Sequence, residues 1–441
     1  MSTFTDRSGL PLTTSSARAA DLYREGIDLM LAGGFGGEAM IEEALQEDAG
    51  FSLARVTHAR NLQLRGRVQE ARDLATLAQE TSGDVTRRER QHVDVIATAI
   101  TDSGEQALAK VREHVAEFPR DAYVLSQANG VYGLIGFSGH INRNDEQLDL
   151  LESVAPAYGE DWWFLGALSF AYNELFQSLK ARPLAERSVE LREGNAHGAH
   201  SVAHVCFELG DTAAGTSFLD AFIPGCDERA SLHQHLAWHN ALFQLREGNV
   251  ERALDLFETY LRPGANRFAP PINQVVDPAA FLWRLEAYGH QADPAAWTSL
   301  RDDAARFFQR PGVMFADVHC ALAYAGAGDE AALGLWIEAL RKREAEGKVS
   351  GGPIVVKLAE AAASFATGDY DRVVETLEPS QHEVVRIGGS HAQRELWEDT
   401  LIAAYLRSGR GEQAADLLRK RLGRRPSPAD YGLLAEATTA A

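Results

Sequence analysis

The sequence contains little cysteine and no long apolar run. Only three of its 441 residues are cysteines, Cys206, Cys226 and Cys320, and none forms a CxxC pair. This excludes a disulfide framework and a cysteine-rich zinc module, and it favours a reducing compartment. No apolar stretch reaches the roughly 18 residues that a transmembrane helix needs, and the polar N-terminus lacks the pattern of a secretion signal. We therefore expect a cytoplasmic protein.

Positive charge is also scarce. The 43 Lys and Arg residues are outnumbered by 63 Asp and Glu residues, which gives a net charge of −20. Nucleic acid backbones and anionic membranes are repelled by such a chain, so we expect neither as a partner. The composition is 45% hydrophobic and includes 19 Phe, 11 Tyr and 7 Trp. Those aromatic residues exclude disorder for most of the chain.

A repeated helical pattern organises the chain. Apolar residues recur three and four positions apart in runs such as 19–31, which predicts helices. Between runs, a glycine is often followed five residues later by an alanine that suits a close helix crossing. The pairs are Gly34 with Ala39, Gly66 with Ala71, Gly248 with Ala253, and Gly409 with Ala414. Successive alanines at 39, 71 and 107 are 32 and 36 residues apart, which is typical of tetratricopeptide-like hairpins. The pattern predicts an all-α protein, an α-solenoid superhelix of such hairpins.

The pattern is irregular in two places and continuous elsewhere. Gly, Pro and Asn interrupt it in 129–156 and 261–278, where we expect loops or distorted helices. No linker separates independent domains. We expect residues 1–16 to be a flexible segment, residues 17–436 to form one continuous superhelix, and residues 437–441 to be a tail.

Histidine is the unusual component. His200 with His204 and His235 with His239 each place two imidazoles four residues apart, on one face of a helix. The two pairs are 35 residues apart, about one hairpin repeat, so adjacent hairpins can bring them together. Such pairs can bind a divalent metal, with zinc favoured by imidazole ligands. Histidines that are simply hydrogen-bonded within the core are the alternative interpretation.

Further polar residues lie in otherwise apolar segments. Asp317 and His319 occur in the apolar run 313–325, and burial of either without a partner costs on the order of 1–3 kcal/mol. Asp277 and Glu174 are acids next to hydrophobic residues. We expect these residues to contribute to one site, between about 174 and 394.

Two weaker features complete the set. The segment 388–394, Gly-Gly-Ser-His-Ala-Gln-Arg, frees backbone N–H groups near Arg394 and can bind a carboxylate or phosphate, although a helix cap is the simpler interpretation. Trp163 and its aromatic neighbours can line an apolar pocket or belong to the solenoid core.

At these segments the sequence resembles the tetratricopeptide repeat protein 38 family. The likeness extends from about Leu22 to about Glu436. The segments that carry it are Thr86–Val93, Phe118–Asp121, Ala199–His204, His235–His239, Asp277 with Leu282–Arg284, Asp317–His319 and Gly388–Arg394. The resemblance implies that the two histidine pairs, the Asp-x-His and the Gly-Gly-Ser segment serve one site for a ligand or metal.

The sequence departs from the family pattern at two points. The segment 127–133 lacks the His and Asp that family members usually carry there, and the acid expected after His204 is displaced to Glu208.

These observations lead to a functional hypothesis with two alternatives. We expect a zinc-dependent hydrolase of a small amide or ester. Asp317, Asp277 and Glu174 are the expected catalytic acids, of which Asp317 or Asp277 orients a ligand or accepts a proton from water. The expected metal ligands are His200, His204, His235, His239 and His319. The expected substrate-binding residues are Arg394, Gln393, Ser390, Arg284 and Trp163.

The first alternative is a non-enzymatic solenoid that binds a protein segment or a second copy of itself. The second is a metal-free acid–base enzyme, a lyase or isomerase, that uses the same imidazoles.

Overall fold

The structure, a computed structural model, describes residues 4–439 and confirms the all-α superhelix. The elements of residues 4–191 are β1 (Phe4–Thr5), β2 (Pro11–Leu12), α1 (Ala17–Leu31), α2 (Gly37–Glu47), α3 (Ser52–Leu64), α4 (Val68–Glu80), α5 (Arg87–Thr101), α6 (Gly104–Glu117), α7 (Ala122–Ala128), α8 (Arg143–Tyr158), α9 (Trp162–Glu174) and α10 (Ser178–Leu191). The later helices are α11 (Ala196–Leu209), α12 (Thr212–Phe222), α13 (His233–Glu247), α14 (Val250–Leu256), α15 (Pro271–Ala287), α16 (Pro294–Phe307), α17 (Met314–Gly326), α18 (Glu330–Ala345), α19 (Ile354–Ala366), α20 (Tyr370–Leu377), α21 (His391–Arg394), α22 (Leu396–Arg407), α23 (Gly411–Leu422) and α24 (Pro428–Thr439). Helical turns of other types occur at Ile223–Gly225, Phe257–Leu261 and Glu378–Ile387.

Consecutive helices pack as hairpins, largely as the glycine and alanine pattern predicts. Ala71, Ala253 and Ala414 are fully buried where one helix crosses the next. The first hairpin differs, because Ala39 is exposed and Gly37 occupies the crossing instead. A Cβ at Gly37 would lie 2.6 Å from the carbonyl oxygen of Gly26. Only glycine fits that approach, so the small residue that matters here comes two positions earlier than predicted.

The two irregular stretches are shorter than predicted. Helix α8 begins at Arg143 and α15 begins at Pro271, so 129–142 and 262–270 are the non-helical parts. Pro156 and Pro278 lie inside helices. The segment 129–142 contacts two later parts of the chain, since Phe137 packs on Gly388 and the backbone at Gly139 packs on Ser350.

The expected terminal tails are largely ordered. Strands β1 and β2 pair antiparallel, with Phe4 opposite Leu12. This hairpin is anchored by ion pairs from Asp6 to Arg88 at 2.7 Å and from Arg7 to Asp161 at 2.8 Å. At the other end, α24 continues through Thr439. The flexible segment predicted for 1–16 is therefore replaced by a docked hairpin over 4–16, whereas residues 1–3 and 440–441 lie outside the described part.

Buried charges close the superhelix, bringing late helices onto earlier ones. Arg421 on α23 contacts Asp399 at 2.6 Å and Asp430 at 3.0 Å. Arg246 on α13 contacts the same Asp430 at 3.3 Å. All four of these side chains are nearly inaccessible to water. A buried charge is tolerated only when it is paired, so these contacts determine where α23 and α24 lie on α13.

Membrane insertion of a helix is not supported. Within residues 4–439, every helix is too short or too polar to cross a bilayer.

The buried ion cluster gives a stability prediction. We expect Arg421→Ala to lower the free energy of unfolding by about 3–5 kcal/mol, because it leaves Asp399 and Asp430 with less compensating charge in the interior. Urea unfolding followed by circular dichroism measures the change. Arg419→Ala on the same helix is the matched control. Its partner Asp416 is 72% exposed, so the loss should be below about 1 kcal/mol. Equal losses in the two variants would contradict the assigned role of Arg421.

Candidate metal centre

Helices α11 and α13 carry the two histidine pairs. Asn195 caps the start of α11 by accepting a hydrogen bond from the N–H of Gly198 at 3.0 Å. Helix α13 ends at Gly248, which adopts the left-handed conformation (φ 78°) that glycine takes without strain. Between these ends, residues four apart share one face, so His200 lies above His204 and His235 above His239.

The four imidazoles converge, as the repeat spacing predicted. One ring nitrogen from each of His200, His204, His235 and His239 lies within 4.8 Å of all the others. The Nε2 atom of His200 is 3.0 Å from Nε2 of His204 and 3.1 Å from Nε2 of His235. Tetrahedral zinc with Zn–N bonds of about 2.0–2.1 Å requires nitrogens about 3.3–3.4 Å apart. The spacings in this cluster, from 3.0 Å to at most 4.8 Å, lie on both sides of that value, so the four nitrogens form a candidate site for one ion.

Burial keeps three of these histidines, His200, His204 and His239, neutral. It lowers the pKa of His204 to about 3 and the pKa values of His200 and His239 well below the ordinary value, and the neighbouring imidazoles lower them further. A metal binds the lone pair of a neutral imidazole, so no proton needs to be displaced at neutral pH. The donor set fits zinc or a similar divalent transition metal.

Hydrogen bonds within the protein do not satisfy this cluster. A neutral Nε2 has one proton or one lone pair, so that of His200 cannot bond well to two neighbouring nitrogens at once. Both ring nitrogens of His239 and Nδ1 of His204 are buried without a hydrogen-bond partner. Each such group costs about 1–3 kcal/mol. His114 is a useful contrast, since its ring contacts Gln91 at 3.1 Å and Asp121 at 3.0 Å and needs no ligand.

Asp277 orients one of the four rings. Its Oδ1 atom is 2.9 Å from Nδ1 of His235, and its Oδ2 atom accepts a hydrogen bond from Asn273 at 3.1 Å. A proton on Nδ1 of His235 is therefore favoured, which leaves the lone pair on Nε2, inside the cluster. Carboxylate–histidine pairs of this kind are common behind metal ligands.

Aromatic side chains pack against the cluster. Phe170 on α9 stacks on His200 at 5.6 Å between ring centroids and meets His204 edge-on at 4.9 Å. Trp238 stacks on His235 at 5.2 Å. These rings exclude water and limit the rotamers of the histidines. Trp163, predicted as a substrate contact, lies instead in the apolar core of the first half of the chain, beside Tyr158 and Phe164.

Asp317 and His319 do not lie together. Two positions on a helix differ by about 200°, so the side chains diverge. His319 is buried, and its Nδ1 donates to the carbonyl of Phe315 at 2.7 Å while Nε2 has no partner. It is not among the four histidines whose ligand atoms converge. Asp317 instead accepts the N–H of Gly312 with both carboxylate oxygens, at 3.0 and 3.1 Å.

The other sequence-predicted residues are engaged in contacts within the protein. Ser390 and Gln393 form a reciprocal cap of α21. Arg394 contacts Glu174 at 3.3 Å, and Glu174 also accepts the backbone N–H of His391 at 2.9 Å. Arg284 on α15 contacts Asp399 on α22 at 3.1 Å and donates to the backbone carbonyl of Ala392 at 2.6 Å. These bonds attach the segment 388–394 to α9 and α15.

Sequence reasoning missed Glu208 and His391 as a pair. Nδ1 of His391 lies 2.6 Å from Oε1 of Glu208, and the other Glu208 oxygen is 3.2 Å from Arg425. Burial alone would raise the pKa of Glu208, but His391 and Arg425 lower it to about 2. Glu208 lies one helical turn beyond His204, and the charge of His391 acts on that ring. The sequence gives no indication of this contact, because 183 residues separate the two side chains.

The contact between Asp277 and His235 gives a prediction. We expect Asp277→Asn to weaken zinc affinity by about 10–100-fold, because the tautomer and orientation of His235 are no longer fixed. Competition against a fluorescent zinc chelator measures the affinity. Asp303→Asn is the control, since Asp303 on α16 pairs with Arg306 at 2.8 Å instead of with a clustered histidine. Unchanged affinity in Asp277→Asn, with the fold intact, would contradict the orienting role.

Comparisons with known proteins concern the fold. No family model matches the chain. The structure is similar to human IFIT1 in a dimer with m7Gppp-AAAA, with 14% identity and a TM-score of 0.44, over 97% of this chain and 94% of that one. It is also similar to Cut9–Hcn1 of the APC/C, with 12% identity and a TM-score of 0.37 over 95% and 76% of the two chains. A third similar structure is Naa15/Naa10 bound to HypK-THB, with 14% identity and a TM-score of 0.26 over 96% and 66%. The chain is an α-solenoid of tetratricopeptide-like hairpins.

Proposed function

We propose that this protein is a helical-repeat metalloprotein in which His200, His204, His235 and His239 hold one divalent metal ion, most favourably zinc. The observation that carries the proposal is the convergence of four buried imidazoles within 4.8 Å. The neutral state of His200, His204 and His239 and the unpartnered nitrogens of His239 support it. Imidazole ligands favour zinc over the hard cations calcium and magnesium, which prefer oxygen.

The metal content of the purified chain tests this proposal. We expect about one zinc per chain, and we expect His204→Ala and His239→Ala to retain far less because each removes a ligand. Inductively coupled plasma mass spectrometry measures the content, and circular dichroism reports whether each variant folds. His114→Ala is the control, since His114 is also buried but contacts Asp121 at 3.0 Å and is not one of the four clustered histidines. No bound metal in any wild-type preparation, even after incubation with zinc, would contradict the proposal.

His319 is tested in the same series. The sequence predicts it as a ligand, whereas it lies outside the set of four in the structure. If His319→Ala retains the metal, the ligand set is four. Loss of metal in a folded His319→Ala variant would instead add it as a ligand.

Hydrolysis of a small amide or ester is the enzymatic form of the proposal. Zinc supplies Lewis-acid activation of a carbonyl when it is bound. Asp277 would orient His235, and the Glu208–His391 pair would move protons towards solvent, since the His391 side chain is 15% exposed. Arg394 would contact an anionic substrate group after release from Glu174. Catalytic zinc sites keep three protein ligands and one open position, so hydrolysis also requires one imidazole to leave the metal.

Hydrolysis can be measured directly. We expect the zinc-loaded chain to cleave 4-nitrophenyl acetate, and we expect Glu208→Gln to lower kcat by about 10–100-fold while leaving zinc content unchanged. Glu247→Gln, on the neighbouring helix α13, is the control. Activity that survives both chelation and His204→Ala would contradict a zinc hydrolase.

A non-enzymatic scaffold is the second candidate function. It is favoured by the same four-imidazole set, which fills tetrahedral coordination and needs no open position. In this form residues of both α11 and α13 would hold the metal, and the surface of the solenoid would bind a protein segment or a second copy of the chain. We also propose membership in the tetratricopeptide repeat protein 38 family, with 17–436 as one continuous unit. Zinc bound without activity on ester or amide substrates would favour the scaffold.

A further inference from the structure

A polar cavity lies elsewhere in the structure, and none of the four histidines lines it. It has a volume of about 130 Å³ and is bordered by the start of α17, the end of α18 and the segment 129–142. Phe137, Met314 and Val349 provide apolar walls, and three charged residues, Asp317, Arg343 and Lys348, line the rest. The cavity is therefore small, partly open to solvent and lined by both signs of charge.

Asp317 is the acidic group of this cavity. It is 3% exposed, and its hydrogen bonds come from the backbone N–H groups before α17. Burial raises the pKa of Asp317 to about 6, against the lowering effect of those amides and of Arg343. Within residues 4–439, no cation lies within 4 Å of the Asp317 carboxylate. Each carboxylate oxygen has two lone pairs, so capacity for another donor remains.

Arg343 is the complementary cation. It is half-buried, and its Nη2 donates to the carbonyl of Lys348 at 3.3 Å. Among the described ion pairs, none joins Arg343 to a carboxylate. Lys348 is already paired with Glu346 at 2.8 Å. Asp317 and Arg343 thus line one cavity with opposite charges, and they do not contact each other.

Size limits the ligand. A cavity of about 150 Å³ holds benzene, which has six non-hydrogen atoms. The ligand of the present cavity must be of similar size, carry a cationic donor for Asp317 and carry an anionic acceptor for Arg343. Charge-assisted hydrogen bonds at both ends would compensate for its desolvation.

We propose that this cavity binds a small α-amino acid such as L-alanine, whose ammonium group contacts Asp317 and whose carboxylate contacts Arg343. The pairing explains why each charged residue faces the cavity without an ionic partner of its own. The site is independent of the metal centre, because it shares none of the four histidines.

Isothermal titration of the full chain with L-alanine tests this proposal. We expect saturable binding of one molecule per chain. Propionate lacks the ammonium group and ethylamine lacks the carboxylate, so each should bind at least about tenfold more weakly.

Variants locate the binding in the cavity. Arg343→Gln and Asp317→Asn should each weaken L-alanine binding by at least about tenfold. Arg341→Gln is the matched control, since Arg341 is exposed on the same helix and pairs with Glu360 at 2.6 Å. If Asp317→Asn fails to fold by circular dichroism, Arg343→Gln still tests the site because its side chain is only half-buried. Absence of saturable binding to wild type, propionate binding as tight as that of L-alanine, or unchanged binding in Arg343→Gln would each overturn the proposal.

Discussion

Compensation of buried charge is the constraint on which the rest of this structure depends. Arg246, Arg421 and Arg425 lie in the interior together with Glu395 and Asp430. A lone charge at that depth would cost several kcal/mol, so each of these side chains requires an ion-pair partner. The pairing of Arg246 with Asp430 fixes α24 on α13, the helix that also carries His235 and His239.

Exclusion of water determines the chemistry of the cluster. Imidazoles near a surface would titrate near neutral pH, whereas burial and the neighbouring imidazoles hold the pKa values of His200 and His239 well below that range. They keep their lone pairs but lack hydrogen-bond donors to satisfy them. His114, in the first half of the chain, shows how a buried histidine can instead be satisfied by hydrogen bonds within the protein. There Gln91 and the Asp121 carboxylate satisfy the ring of His114 without a ligand, and Arg88 pairs with the same carboxylate.

The divergence of side chains on α17 separates two kinds of site. His319 and Asp317 are two positions apart, so one lies in the buried core and the other lines the amino-acid-sized cavity. The sequence, by contrast, predicts that both residues contribute to the metal site. The α17 segment therefore contributes one side chain to the buried core and one to a cavity that is lined by opposite charges.

Local sequence determined much of the fold and half of the site. Apolar spacing and the Gly–Ala pattern predict the helical hairpins because both depend on residues within one or two turns. The four-residue spacing within each histidine pair is local in the same sense. The 35-residue spacing between the pairs follows the hairpin repeat, and together the two spacings predict the convergence of the four rings. Only tertiary structure decided the partners. The Asp277–His235 contact, the Glu208–His391 contact across 183 residues and the Asp317–Arg343 cavity depend on how distant hairpins pack. No local periodicity encodes such contacts, because they arise when the superhelix closes and its buried charges must find compensation.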